Sequence, residues 1–385
     1  MNTFLDRYAD VILHSALKIR KDDVLSINTE EENLEFARLL ARKAKEITDN
    51  GSYLMILENG REGDMTEIFS DYKLEREPTL FLHLLRYDEM PSSPLEKDTL
   101  SARDVQLFRH LASPLLLPKP SIPFVTVPLP SYTWGAVLSP DEGSERLVSV
   151  MISDLLGLDE DEFLSYNEDL NDTIRYDEDN LNRKNAKSVR LYDEDGMDDI
   201  TFSFLPSSRF TSDLMESRDG RLFLPSLLST SFFRAVDKRS ANGYVTSSLP
   251  FMVLGHTINN ISITFENGRV SSFETDEESA KYFKKFLSLD EDNFHLAELV
   301  VAEDKNRASG IPFFAYPEWD RMRATGITLG SPRGESLLYE SEDDAVKDGA
   351  ACSLECLFIP IGTSGMSIET EDGDYLLEDG VIDSN

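Results

Sequence analysis

The spacing of apolar residues changes once along this chain of 385 residues, and the change limits the folds that are open to it. Up to Arg183, apolar residues recur mainly at helical intervals, and short apolar runs of strand length separate the helices. Beyond Arg183, alternation with a period of two prevails, which is typical of strands. The sequence therefore predicts an α/β domain followed by an α+β domain with a mainly antiparallel sheet.

The N-terminal part has the order of elements that a parallel sheet requires. An amphipathic helix ends near Leu17, and Val24 to Ile27 follows as a short strand. A second helix over 30–50 ends at Gly51, and Tyr53 to Leu57 is again of strand length. This strand, helix and strand form a βαβ unit. Further strands are predicted at 80–85 and 124–127, and further helices at 101–112 and 146–156.

An acid-rich stretch separates the two parts of the chain. Leu164, Leu170, Ile174 and Leu181 give it a weak helical period, so we interpret 163–187 as a charged connecting helix exposed to solvent. A cation site is the alternative, although carboxylate ligands need a fixed cage that spacing alone does not indicate. The predicted domains are therefore 1–162 and 188–385, joined by the acidic helix at 163–187.

The clearest signal in the second part is a β-hairpin. Alternating runs at 260–266 and 269–273 flank Asn267-Gly268, and an Asn-Gly pair between such runs favours a tight two-residue turn. A helix is predicted at 277–289. Other strands are predicted at 188–191, 200–204, 243–247, 299–301 and 357–361.

Composition excludes several classes of function. The chain has 72 Asp and Glu against 38 Lys and Arg, a formal charge of −34, which argues against binding to nucleic acid or to an anionic membrane. The first seven residues lack a secretory pattern, and no apolar run is long enough to span a bilayer. Cys352 and Cys356 are expected to be buried structural thiols. Together these features predict a cytoplasmic protein.

Common catalytic motifs are absent from the sequence. It has no glycine-rich phosphate loop, no H-E-x-x-H pair, and no Ser-His-Asp or Cys-His arrangement that stands out. His295 and Glu298 are three residues apart, but a strand is expected there, so we interpret His295 as structural. The acids at 193–198 lack the spacing of a calcium loop and predict a surface turn.

Short segments in the second part carry the remaining functional signal. They are L-N-R-K-N-A-K at 181–187 with D-I-T-F at 199–202, F-L-P at 223–225, the hairpin at 261–270, A-E-L-V at 297–300, and the run from 313 that ends in G-I-T-L-G at 326–330. In this order they resemble motifs of the thermophilic-type metalloaminopeptidases (aminopeptidase T, aminopeptidase S and PepS). In that family, F-L-P corresponds to the start of N-L-P-T-E-E-V-F-T. The resemblance implies a homodimer whose second domain holds two divalent ions, zinc or cobalt, that activate water to cleave an N-terminal peptide bond.

The resemblance also implies a set of site residues, most of which have been replaced. The family uses two Glu, two His and one Asp as metal ligands, and a Tyr near Arg333 as a catalytic residue. Only Glu298 keeps its ligand type, and no histidine occurs after His295. The ligand positions fall, in order, on Ser231, Glu298, Gly326, Leu354 and Cys356.

These losses leave three hypotheses for function. The chain is a divergent metalloaminopeptidase with a rebuilt site, or a catalytically inactive homodimer that binds ligands or acts as a scaffold, or a sensor of peptides or amino acids. A site built from carboxylates alone would suit Mg²⁺ or Ca²⁺ better than Zn²⁺. The missing ligands favour the inactive protein, because a water nucleophile at neutral pH needs the metal.

Overall fold

A computed structural model provides the structure of the chain, and it describes residues 3–58, 61–69, 77–86, 120–141, 143–247, 249–353 and 355–383. At residues 3, 57–58, 61–69 and 86 it describes the backbone only. The helix predicted at 101–112 and the ligand position Leu354 lie outside the described residues.

The helices occupy most of the positions that the sequence predicts. Short 3₁₀ turns lie at Glu31–Asn33, Glu291–Phe294 and Gly334–Ser336. Within the described ranges, no helix combines the length and the apolar character that crossing a bilayer requires. The α-helices are α1 (Thr3–Asp10, continued by a π-helical turn at Val11–Ala16), α2 (Leu34–Ile47), α3 (Tyr132–Leu138), α4 (Glu145–Leu156), α5 (Phe163–Arg183), α6 (Glu277–Leu289), α7 (Pro317–Asp320) and α8 (Glu342–Asp348).

The strands form several sheets, of which three have four or more strands. In chain order they are β1 (Leu25–Thr29), β2 (Ser52–Glu58), β3 (Arg61–Phe69), β4 (Leu80–Arg86), β5 (Phe124–Leu129), β6 (Ser188–Asp193), β7 (Asp199–Ser203), β8 (Met215–Glu216), β9 (Leu222–Phe223), β10 (Ser231–Ala235), β11 (Asn242–Ser247), β12 (Phe251–Val253), β13 (His256–Ile258), β14 (Ile261–Glu266), β15 (Arg269–Glu274), β16 (Leu296–Ala302), β17 (Thr325–Leu329), β18 (Leu357–Gly362), β19 (Met366–Thr370), β20 (Tyr375–Glu378) and β21 (Val381–Ile382).

The N-terminal sheet is mostly parallel, as the βαβ pattern predicts. Its strand order is β3-β2-β1-β4-β5. Strands β2, β1, β4 and β5 pair in parallel, and β3 pairs antiparallel with β2 at the edge. Apolar residues of β1, β2, β4 and β5 form one core with α1, α2 and α4. The α/β prediction for this part is confirmed, although the sequence analysis did not identify β3.

The second part is built from antiparallel sheets, as predicted. One has eight strands in the order β15-β14-β11-β7-β6-β19-β20-β21, and the other has four in the order β10-β16-β17-β18. Helix α6 and apolar residues of both sheets form a second core. The predicted hairpin is β14–β15, where Asn267 and Gly268 both have positive φ, 50° and 79°. A Cβ atom at Gly268 would lie 1.8 Å from the Lys238 carbonyl oxygen, so the turn requires glycine.

The two parts share packing along their junction. Leu227, Leu228, Phe314, Tyr316 and Trp319 follow the acidic helix in sequence, yet they belong to the first core. The domain boundaries at 162 and 187 stay a prediction. Helix α5 has the expected charged character, since most of its acids are exposed to solvent.

Candidate functional site

The candidate site lies on one face of the four-stranded sheet. Glu298 of β16 pairs with Ala235 of β10 on one side and with Thr328 of β17 on the other. Directly paired residues project to the same face of an antiparallel sheet. By this register Ser231 and Gly326 lie on the face of Glu298, whereas the opposite face contributes to the second core. The strands thus place three of the ligand positions that the resemblance implies on one face, although Ser231 pairs with Ala302, four residues along β16 from Glu298.

Glu298 is a fully buried carboxylate whose two oxygens have partners within the protein. Its Oε1 accepts a hydrogen bond of 3.2 Å from the Thr328 hydroxyl, and its Oε2 accepts one of 2.9 Å from the Arg333 backbone N–H. The Arg333 Nε lies 3.6 Å from Oε1 and forms an ion pair with it. A buried carboxylate needs such partners, because burial removes its hydration.

Arg333 links Glu298 to a second carboxylate. Its Nη1 donates to Asp213, which also accepts a hydrogen bond of 3.1 Å from the Ser229 hydroxyl. The guanidinium lies over the Phe233 ring, with Cζ 3.1 Å from the ring centroid. The Arg333 side chain is 9% exposed and that of Asp213 12%, so the interaction is largely shielded from water. One buried cation therefore pairs with a fully buried carboxylate and with a partly buried one.

A second arginine lies against the cysteine that replaces the family's aspartate. Arg321 Nη2 donates to the Cys356 Sγ over 3.1 Å. Burial raises the pKa of the Cys356 thiol to about 11, although Arg321 acts in the opposite direction. Burial also favours the neutral form of Arg321, but Cys356, Glu298 and Glu318 raise its pKa above the usual range. The thiol is therefore protonated at neutral pH, and the charged Arg321 beside it disfavours a second cation at this position.

The position of the first family histidine has no room for a side chain. A Cβ atom on Gly326 would lie 2.3 Å from the Ile359 carbonyl oxygen and 2.8 Å from the Phe358 ring. Phe358 packs with Phe233 and Val300 in a small apolar cluster on this face of the sheet. The protein's own atoms thus occupy the space that an imidazole at 326 would need.

The position of the first family glutamate is also occupied by residues that cannot replace it. Ser231 is fully buried, and its hydroxyl has no hydrogen-bond partner among the residues that the structure describes. If the motif N-L-P-T-E-E is aligned without gaps on Leu224-Pro225, its two glutamates correspond to Leu227 and Leu228. Both leucines are buried in the first core. Either placement leaves this position without a carboxylate.

The remaining candidates have structural roles or stay apart from the site. His295 Nδ1 lies 2.9 Å from the Lys238 carbonyl oxygen and 3.1 Å from that of Gly268, where it donates to the backbone. The acids at 193–198 form the turn between β6 and β7, as predicted. The expectation of buried thiols is wrong for Cys352, which is exposed, and Cys356 is only partly buried. The two alanines before it are buried and create the apolar pattern, while the Cys352 backbone N–H donates to Asp292 at the surface.

The donor set does not fit the metal centre that the resemblance implies. Across the described ranges, no group of three or more His, Cys, Asp or Glu is placed to hold a metal ion. Zinc sites in proteins use three or four such ligands. Here Glu298 is paired with Arg333, Cys356 is a neutral thiol beside Arg321, and Gly326 provides no ligand. Two cationic side chains therefore border the one conserved ligand type.

Sequence reasoning missed most of this network. Arg333 was noted only as the position of the family's tyrosine, and Asp213, Arg321 and Thr328 were not identified. Asp213 is 120 residues from Arg333 in sequence, and no spacing rule connects them. The register of β16 with β17 would have placed Thr328 beside Glu298, but register is not readable from strands that are buried on both faces.

Comparisons with known proteins show where this arrangement belongs. The model of the thermophilic metalloprotease family (M29) matches residues 117–375. Aminopeptidase AmpS of Bacillus subtilis (strain 168) is 20% identical over 402 residues, which cover 96% of this chain and 95% of that protein. Aminopeptidase 2 of Geobacillus stearothermophilus is 23% identical over 405 residues, covering 96% and 94%. The structure of wild-type AmpT from Thermus thermophilus superposes with a TM-score of 0.76 at 18% identity, covering 98% of each chain.

Proposed function

Because the chain belongs to the thermophilic metalloprotease family (M29), we propose that it is a member that binds peptides without hydrolysing them. One observation supports this proposal above others: both oxygens of the Glu298 carboxylate are engaged by Thr328 and Arg333 within a buried network. Glu298 is the only ligand position that keeps its residue type, and it is paired with an arginine.

The chemistry of the replacement cation supports the same proposal. A metal ion accepts an electron pair from water and lowers its pKa, which produces the nucleophile. A guanidinium has N–H donors and no such acceptor site, and its own pKa is too high for it to take part in proton transfer. Arg333 can hold two carboxylates in place, but it cannot generate hydroxide. The geometry therefore argues against metal-dependent hydrolysis at this site.

The relatives support peptides as the proposed ligands. AmpS and Aminopeptidase 2 are named as aminopeptidases, and the chain aligns with nearly their whole length. We therefore propose peptides as ligands. A homodimer is proposed from the resemblance to the family, and the cytoplasm from the sequence features given above. Peptide recognition does not require the metal ligands, because other groups of a cleft can contact the chain of the peptide.

The test measures metal content and turnover of the same preparation. The purified protein is loaded separately with Zn²⁺, Co²⁺, Mn²⁺ and Mg²⁺, desalted, analysed for bound metal, and assayed on aminoacyl reporter substrates. We expect no stoichiometric metal, and no turnover that a chelator abolishes. Two metal ions per chain with chelator-sensitive turnover would contradict the proposal.

A matched variant and a binding assay sharpen this test. Glu298→Gln removes the retained carboxylate, so a working metal centre would lose its metal and turnover in this variant, whereas a non-catalytic protein has neither to lose. Binding is measured as a rise of the thermal unfolding midpoint with di- and tripeptide mixtures. A saturable rise without hydrolysis supports the proposal, and the absence of any rise argues against a peptide-binding role.

A further inference from the structure

A fully buried carboxylate and a partly buried one both pair with the Arg333 guanidinium. Arg333 forms ion pairs with Glu298, which is 0% exposed, and with Asp213, which is 12% exposed. Charges that have lost their hydration require a counterion, and removal of one partner of such a pair is strongly destabilising. The two acids thus require cations nearby, and Arg333 is the one that pairs directly with both, while Arg321 interacts with them at longer range.

The surroundings also define the shape of that cation. The Arg333 Cζ atom lies over the Phe233 ring, 3.1 Å from its centroid. Glu298 and Asp213 form ion pairs with nitrogens of the same guanidinium. The Arg333 Nη2 is buried and has no hydrogen-bond partner among the described residues, and the planar group lies over the aromatic ring. A planar, delocalised and weakly hydrated cation suits this slot better than a compact ammonium ion.

We propose that the slot formed by Phe233, Glu298 and Asp213 is a binding site for one planar monocation, and that the chain fills it with its own Arg333 guanidinium. This inference rests on the proposed function, in which the retained glutamate serves an arginine instead of a metal. Removal of the side chain should therefore open a site for a free alkylguanidinium ion. The Arg333 backbone N–H, which also binds Glu298, remains after truncation.

The experiment is a chemical rescue of Arg333→Ala. N-ethylguanidinium replaces the atoms that the substitution removes, and N-ethylurea has the same shape without the charge. We expect Arg333→Ala to unfold several degrees below the wild type. N-ethylguanidinium should raise this midpoint in a saturable manner, N-ethylurea should not, and neither should raise that of the wild type. Equal effects of both compounds on the variant, or no effect of either, would overturn the inference.

Two further variants exclude a nonspecific effect. Arg333→Ala combined with Glu298→Gln removes the charge that attracts the cation, so the rescue should be reduced severalfold. Arg190→Ala is the matched control, since it breaks an ion pair with Asp199 at the surface. The side chain of Arg190 is 48% exposed and that of Asp199 is 40% exposed. Rescue of Arg190→Ala to the same extent would contradict a specific site.

A conservative variant keeps the inference testable if Arg333→Ala fails to fold. Arg333→Lys keeps the charge but lacks the planar group, and we expect it to unfold below the wild type; equal midpoints would overturn the requirement for a planar cation. Failure of the rescue is distinguishable from failure of the proposed function. The latter is decided on wild-type protein by metal content and turnover, which the rescue does not measure.

Discussion

At the scale of single residues, Asp23 forms a buried ion pair that ties the first sheet to the second part of the chain. Its two oxygens accept hydrogen bonds of 2.8 and 2.9 Å from Arg221, and Thr79 and the Arg20 backbone N–H donate to the same carboxylate. The side chains of the pair are only 7% and 3% exposed. Asp23 thus provides the negative charge that balances the buried Arg221 guanidinium.

We expect Asp23→Asn to lower the free energy of unfolding by about 3–5 kcal/mol, because it leaves the Arg221 guanidinium buried without a counterion. Urea unfolding followed by circular dichroism measures the loss. Asp199→Asn is the control, since it breaks the exposed pair with Arg190 and should cost less than about 1 kcal/mol. Equal losses in the two variants would show that burial of the pair is not the cause.

Gly326 offers a second test at this scale. A Cβ atom there would meet the Ile359 carbonyl oxygen at 2.3 Å, and a backbone atom in a central strand pair moves little. We expect Gly326→Ala to cost about 1–3 kcal/mol through overpacking. Gly310→Ala, where nothing lies within 4 Å, should change stability by less than about 1 kcal/mol. A neutral Gly326→Ala would indicate that this position can still accommodate a side chain.

The site shows why sequence alone reached only part of the network. Glu298 was identified because its local motif is intact, and the missing histidines were evident from their absence after His295. Arg333 and Asp213 meet only through tertiary folding, and each is one of many charged residues in an acidic chain. The contact of Phe358 with Gly326 likewise depends on how β17 and β18 are paired, and no local sequence pattern specifies that register.

At the scale of elements, prediction succeeded where apolar residues follow a clear period or form an unbroken run. Helix α6 and the hairpin β14–β15 were predicted within a residue or two, because their apolar residues alternate with polar ones. Strands β10 and β17 were not predicted as strands, because they are buried on both faces and polar residues or glycine interrupt their apolar residues. The equally buried β16 was predicted at 299–301 from its continuous apolar run. Strand β3 is rich in charged residues, which are uncommon in strands, so only its pairing with β2 reveals it.

Docking of helix α5 provides a pH-dependent prediction. Asp177 faces inward from the acidic helix, where burial and the nearby Glu303 raise its pKa to about 6, while Lys305 acts in the opposite direction. In the unfolded chain the carboxyl has its ordinary, lower pKa. The folded state therefore favours the protonated form, and the stability that this provides is lost as the pH rises through about 6.

Asp177→Asn should accordingly stabilise the protein at pH 8 by an amount on the order of 2 kcal/mol and have little effect at pH 4. Thermal or urea unfolding across this range measures the difference from the wild type. Asp172→Asn, on the exposed face of the same helix, controls for the general loss of one negative charge. An advantage of Asp177→Asn that is the same at both pH values, or that Asp172→Asn shares, would contradict this assignment.

At the scale of the whole molecule, the two parts are joined by an apolar core as well as by a connecting helix. Both tryptophans of the chain lie in this junction, fully buried, with ring centroids 5.9 Å apart. Trp134 of the first part donates its indole N–H to the Phe314 carbonyl oxygen over 2.6 Å, and Trp319 donates to that of Ser226 over 3.1 Å. A separation of the two parts would expose these rings to water.

This arrangement predicts that the two parts unfold together. Chains of this length often unfold in steps, one domain at a time, but a shared core couples the steps because neither part can keep its packing alone. We expect the tryptophan emission and the far-ultraviolet circular dichroism to change at the same urea concentration. In Trp134→Phe, the remaining Trp319 should report the same midpoint by both methods. An emission change that precedes the loss of secondary structure would show instead that the junction opens first, and that the parts are independent folding units.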